Sequence, residues 1–374
     1  MAETKGTRTP LVIALVVCVA ISALSIASFS VAYGVDELET LDPVHDEVVD
    51  RQTDNSDAIA NELKKYYPDM VEHLSDVEPA TYAIPGLVRA KNIRARGDDK
   101  GTVDYADDMT PQGLAITDDY VIVSAYSKSK DFYSVLWVLN RATRDFVKTV
   151  VLDNCDHVGG LAYDADRDRL WVAAKQPGGG AAALGCFSMD DIDTYNFDES
   201  GTTLPYDDIV VLKGIEHTSF VTYFDNIIYA GDFNTVVGGT LGCYELDDRG
   251  YPTSGGDDAD GVAPRRTVSI PDEIQGITFT EGMIILSQSW GPHDAHLMGY
   301  IDTDVDDLDD LTYDNCVFDE VMPPYLEQIK AVGTDLYVVF ESSAKEYRGR
   351  KGVFGIDHVL KLDITEILEG AQRP

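Results

Sequence analysis

The sequence predicts an all-β fold, a β-propeller, behind an N-terminal transmembrane helix and a helical stalk. Three observations lead there: an apolar run near the N terminus, a strand pattern recurring about every 50 residues, and the scarcity of helical periodicity after residue 80. The resulting division is a cytoplasmic tip and membrane anchor over 1–35, an acidic helical stalk over 36–78, and the propeller over 79–374.

Lys5 and Arg8 precede an uncharged stretch over 10–35, and Asp36, Glu37 and Glu39 follow it. A helix of about 20 apolar residues spans a bilayer, and a basic flank stays on the cytoplasmic side. The expectation is a single-pass protein that meets the cell membrane through this helix and holds its C-terminal domain extracytoplasmic. A second reading is open. Ser30 and Ala32 offer small residues where a signal peptidase cuts, so cleavage near Ala32 would release a secreted domain. Beyond the anchor, Ile59, Leu63, Tyr66, Tyr67 and Met70 recur at helical spacing, and Pro79 and Pro85 mark the change to strand-like sequence.

Five copies of the repeat can be aligned. Their first strands open at Pro111-Gln112-Gly113-Leu114, His157-Val158-Gly159-Gly160-Leu161, His217-Thr218-Ser219-Phe220-Val221, Ile274-Gln275-Gly276-Ile277 and Glu327-Gln328-Ile329. The second strands are expected over 120–124, 170–174, 227–231, 283–287 and 336–340, each after a turn rich in Asp, Asn or Gly. One four-stranded sheet cannot bury both faces alone and must stack on its neighbours around an axis, so five blades are expected, with six as the alternative. The last copy has room for three strands, and residues 86–95 offer one unassigned strand to close the ring and cover the open edge.

In a propeller the start of strand one and the end of strand two lie on the same face of the central channel. Aligning the copies places Gln112, Gln275 and Glu327 at strand-one starts, with His157 and His217 just before theirs. It places Lys175, Asp232, Gln288 and Glu341 at strand-two ends, with Trp290 beside them. Different residue types at equivalent positions are what a binding site requires, since it needs varied donors, acceptors and charges. The same side chains could instead satisfy backbone and water in a wet channel.

With 66 acidic against 29 basic residues, the net charge is −37, which repels a phosphate backbone and argues against nucleic-acid binding. Cys155, Cys186, Cys243 and Cys316 follow the anchor, with no Cys-x-x-Cys among them, and their pairing is open. Asp302, Asp304 and Asp306 begin like a calcium loop, but Asp307 and Tyr313 stand where its glycine and bidentate glutamate belong.

The segments Met109-Thr110-Pro111-Gln112-Gly113-Leu114, His157-Val158-Gly159-Gly160-Leu161-Ala162-Tyr163-Asp164 and Phe340-Glu341-Ser342-Ser343 resemble those of a group of secreted bacterial β-propeller proteins, as do Ser124-Ala125-Tyr126 and Ser287-Gln288-Ser289-Trp290-Gly291. The likeness covers about residues 82–368 and implies fold and export, with no catalytic residues. More distantly, the architecture is similar to gluconolactonase-like and apyrase-like propellers, which implies a divalent cation in the central channel. Two functions follow as expectations. One is a binding or sensing module that presents the channel face to a small molecule, glycan or protein; the other is a cation-dependent hydrolase or lactonase with its site in the channel.

Overall fold

A computed structural model describes residues 56–256, 258–350 and 353–371; the anchor and the first part of the stalk lie outside them. None of the helices among the described residues is long and apolar enough to cross a membrane. Two short helices come first, α1 (Ser56–Leu63) and α2 (Pro68–Glu72). They bury Ile59, Leu63 and Met70, and the chain after them runs along the propeller: Ser75 N donates to Lys361 O at 2.9 Å and Asp363 N to His73 O at 2.7 Å.

Next come β1 (Thr81–Ala83) and a hairpin of β2 (Ala90–Ile93) and β3 (Val103–Ala106). Blade one comprises β4 (Met109–Ile116), β5 (Tyr120–Ser127), β6 (Val135–Asn140) and β7 (Phe146–Val151). Blade two has β8 (Leu161–Asp164), β9 (Arg169–Lys175) and β10 (Ala182–Ser188); helices α3 (Met189–Thr194) and α4 (Phe197–Ser200) then lead to its outer strand β11 (Asp208–Val211). Blade three comprises β12 (Phe220–Phe224), β13 (Ile227–Gly231), β14 (Gly239–Glu245) and β15 (Arg266–Ile270). Blade four comprises β16 (Ile274–Thr280), β17 (Met283–Gln288), β18 (Ala295–Ile301) and β19 (Phe318–Met322). Blade five has β20 (Leu326–Val332), β21 (Asp335–Phe340) and β22 (His358–Asp363), with β1 as its outer strand. Helix α5 (Thr365–Ala371) follows. The chain is thus a five-bladed propeller, and the second-strand expectations fall within β5, β9, β13, β17 and β21.

The strand that closes the ring is not the expected one. Residues 81–83 pair with β22, Tyr82 opposite Val359, whereas Ala90–Ile93 pairs with Val103–Ala106 in a separate hairpin. The closing strand is only three residues long and sits between Pro79 and Pro85, which in the sequence look like punctuation between domains. Its short length suffices because β22 supplies the ladder and Tyr82 anchors it, buried, with its hydroxyl donating to Arg141 O at 2.8 Å.

Inner strands are buried on both faces, as stacked sheets require: every residue of β4 is buried, and in β5 all but Tyr120. Outer strands such as β19 alternate toward solvent. Trp137, Trp171, Phe220 and Tyr300, each at most 1% exposed, fill the spaces between blades. Two serines at equivalent positions tie neighbours together near the axis: Ser124 Oγ donates to Val158 O at 2.6 Å and Ser287 Oγ to Glu327 O at 2.8 Å. All four cysteines of the described residues are free thiols.

The middle of the channel is closed by one side chain. Gln328, fully buried on β20, accepts from Leu114 N and Leu161 N through Oε1 and donates through Nε2 to Leu161 O and Val221 O, at 2.6 to 2.9 Å. All four hydrogen-bonding positions of the amide are used, on three other blades. Where the aligned copies have Gly113 and Gly276, no side chain competes for this space; a Cβ on Gly276 would lie 3.0 Å from the Gln328 Cα.

Candidate functional site

Next to Gln328 along the chain, Glu327 lines a cavity of about 570 Å³, within the range of small-ligand sites. All five blades reach it. Blade one supplies Gln112, blade two His157 and Lys175, blade three His217, blade four Gln275 and Trp290, and blade five Glu327 and Glu341. Two of the expected residues do not line it. Asp232 is committed to its own hairpin, its Oδ1 accepting from Thr240 N at 2.5 Å. Gln288 turns away, with Nε2 donating to Asp272 O at 2.8 Å and Tyr313 Oη at 2.6 Å. Both sit at strand ends where a one-residue change of facing sends the side chain to the other side.

Backbone irregularities aim these side chains. The ladder slips between Pro111 and Leu114, between Ile274 and Gly276, and between Leu326 and Ile329. Such bulges re-aim a side chain. The one in blade five turns Glu327 to the cavity while its neighbour Gln328 plugs the channel. Non-glycine residues with positive φ stand just before strand one in three blades: Val158 (49°), Glu273 (62°) and Tyr325 (64°). For a β-branched valine this is a costly conformation, of order 1–2 kcal/mol, and such strain gathers at sites. The turn that carries it also needs glycine, since a Cβ on Gly159 would lie 2.2 Å from Ser219 O and one on Gly160 2.5 Å from Val221 N. His157 is held at the cavity by this turn, its ring 4.3 Å from that of Tyr126.

The cavity floor is a pair of carboxyls. Glu327, 3% exposed, hydrogen-bonds Glu341, and burial together with the Glu341 charge raises its pKa well above the carboxylate range. Glu341 is pushed up to about 7 by burial, against the opposing pull of Lys128 and of hydrogen bonds from Tyr347, Gln112 and Glu327. The Gln112 Nε2 contact to Glu341 Oε2 is 3.0 Å. Two carboxyls this close cannot both ionise cheaply, so the pair keeps one proton near neutrality, with Glu327 as its donor. Lys128 balances the remaining charge and donates to Tyr347 Oη at 3.2 Å. Burial, with Lys128, Lys130 and Lys175 nearby, pushes His157 down to about 4, so its imidazole is neutral at physiological pH.

Aromatic rings make up much of the wall. Trp290 is half exposed and lies against Phe233, ring centres 5.5 Å apart; Tyr325 and Tyr347 pair at 4.6 Å on the neighbouring blade five. Sequence reasoning missed Tyr126 and Lys128 because it ended the second strand of blade one at residue 124, whereas β5 continues to Ser127. It missed Tyr347 and Arg350 because they belong to the long excursion between β21 and β22, which no repeat pattern covers. The signal available for Gln328 was its break of pattern: glutamine where three of the other copies carry Gly113, Gly160 and Gly276.

The divalent cation implied by the likeness to cation-holding propellers finds two carboxyls, Glu327 and Glu341, already sharing a proton. Among the described residues no three His, Cys, Asp or Glu side chains come together as ligands for a metal ion. The donor set therefore does not fit a resident cation.

No family model matches the chain, and no curated protein matches it. Among solved structures it is similar to the hydrazine synthase of Kuenenia stuttgartiensis, at 8% identity over 63% of this chain and 56% of that one, with a TM-score of 0.35. It is also similar to a putative oxidoreductase (glucose dehydrogenase) of Thermus theromophilus, at 13% identity over 78% and 98% with a TM-score of 0.40. The WD40 repeats of RRP9 match at 8% identity over 76% and 99%, with a TM-score of 0.39. The chain spans little more than half the length of the first of these. Likeness at this level says nothing of ligand or reaction.

Proposed function

We propose that this chain is a ligand-binding propeller held at the outer face of the cell membrane by its N-terminal segment, with the ligand seated in the cavity at the channel mouth. One observation carries the reading: side chains of varied chemistry from all five blades meet in one cavity, whose strand-one approaches hold three left-handed residues that ordinary strand packing does not demand. The apolar run over 10–35, flanked by Lys5 and Arg8, supports the tether.

The site carries its own reporter. Of three tryptophans, Trp137 and Trp171 are fully buried, and Trp290 is the half-exposed one at the cavity. A panel of monosaccharides, amino acids and short peptides titrated into the full chain in detergent should include compounds that shift Trp290 emission and protect it from iodide quenching. Binding that survives Trp290→Ala and Glu341→Gln unchanged, or a panel with no response, counts against the reading.

A further inference from the structure

We infer that the ligand of this cavity is an acidic sugar, a hydroxylated ring bearing a carboxylate, seated with its ring against Trp290 and its carboxylate toward Lys175. The inference rests on the reading of the cavity as a ligand site and adds the class of ligand.

Charge distribution gives the anion. In a chain with 66 acidic and 29 basic residues, the cavity wall nevertheless carries Lys128, Lys175 and Arg350. Two of these cations are already matched: Lys128 faces the Glu327 and Glu341 pair, and Arg350 is ion-paired with Glu346. Lys175 is not. Among the described residues its Nζ has no hydrogen-bond or ion-pair partner. Asp156, on the neighbouring segment, turns Oδ2 to the Lys175 main-chain N–H at 3.1 Å and makes no bond to the ammonium. On the same side stands Lys130, bonded to Cys155 O at 3.1 Å, and His157, which stays neutral and so can accept as well as donate. The blade-two side of the cavity thus presents an uncompensated cation, which selects for an anion within a protein whose overall field repels one.

The remaining walls give the ring. The floor alternates acceptors and donors: a carboxyl pair with one proton, the Gln112 amide bonded to it, and Gln275 beside Ser289. Groups able both to give and to accept suit hydroxyls, each of which is donor and acceptor at once. Opposite the cation, the exposed face of Trp290 backed by Phe233 offers a platform for the apolar face of a sugar ring. A cavity of about 570 Å³ holds one or two such rings.

The test titrates the full chain with sodium glucuronate, N-acetylneuraminate, glucose and acetate, following Trp290 emission and the heat of binding. At least one of the two acids is expected to bind about tenfold or more tightly than glucose, with acetate showing no response, and that binding is expected to weaken as salt rises. Lys175→Met should weaken acid binding by about tenfold or more, removing the preference for the acid over glucose. It should leave the melting temperature in place, because the Lys175 ammonium has no partner among the described residues. Glucose binding as well as the acids, Lys175→Met leaving acid binding intact, or no response to either acid at about 10 mM would each overturn the inference. The broader reading survives such failures if a neutral compound of the panel still binds through Trp290 and Glu341. It falls with the inference if no compound does.

Discussion

Two adjacent residues of one β-bulge divide the central channel into regions that obey different rules. Gln328 closes the throat with four hydrogen bonds to three other blades and leaves no bonding position of its amide unused. Glu327 opens into the mouth, where a carboxyl pair holds a proton, Lys175 has no side-chain partner among the described residues and a tryptophan is half exposed. The throat is satisfied by the protein itself, which is how a polar group comes to be structural. At the mouth, groups are held in place without being fully satisfied, and this incompleteness is what a ligand completes. The difference predicts that stability resides in the throat and binding at the mouth.

The largest effect is expected from Gln328→Leu. It strands the amides of Leu114 and Leu161 and the carbonyls of Leu161 and Val221 in a dry channel, costing about 4 kcal/mol. Thermal unfolding should show a drop of roughly 10 °C. A variant that melts like wild type would mean that the throat is wet and its difference from the mouth is lost. Gly160→Val should come next, losing about 2–3 kcal/mol in urea unfolding, because the added carbons meet the backbone of Val221 and Phe220.

At the mouth, Glu341→Gln sharpens the comparison through pH. A carboxyl whose pKa is raised on folding holds a proton that the unfolded chain releases, so the contribution of Glu341 falls as pH rises from the ordinary glutamate range through about 7 and then levels, while that of Glu327, raised further, continues to fall. The wild type should therefore lose about 1–3 kcal/mol between pH 5 and pH 8 through Glu341 alone. Glu341→Gln should flatten that slope and be as stable as wild type, or more so, at pH 8. A steep unchanged slope would place the raised carboxyl elsewhere. Tyr67→Phe should have the smallest effect, below about 1 kcal/mol, by removing the 2.8 Å hydrogen bond to Asp294, on the loop that continues from Trp290.

Much of this was legible in the sequence because it repeats. The period gave the blades, and alignment of Gln112 with Gln275 and Glu327 gave the face, since equivalent residues of stacked sheets share a direction. What stayed hidden was what the repeat does not encode. The closing strand over 81–83 is too short to show alternation, and its role depends on β22, far away in the chain. Tyr347 and Arg350 come from a unique excursion. Asp232 and Gln288 fit the alignment but not the cavity, because hairpin geometry at strand ends decides their facing. The sharing of a proton between Glu327 and Glu341 arises only from proximity in space.

The central claim, that the mouth binds and the throat stabilises, is tested most directly by measuring binding and unfolding on the same pair of variants. For a compound that shifts Trp290 emission, Glu341→Gln should reduce affinity by about tenfold or more while leaving the melting temperature at neutral pH unchanged or higher. Gln328→Leu should do the reverse, lowering the melting temperature while retaining affinity at temperatures where the variant is folded. If Glu341→Gln destabilises the protein and leaves affinity intact, the mouth is structural and the division of the channel drawn here is contradicted.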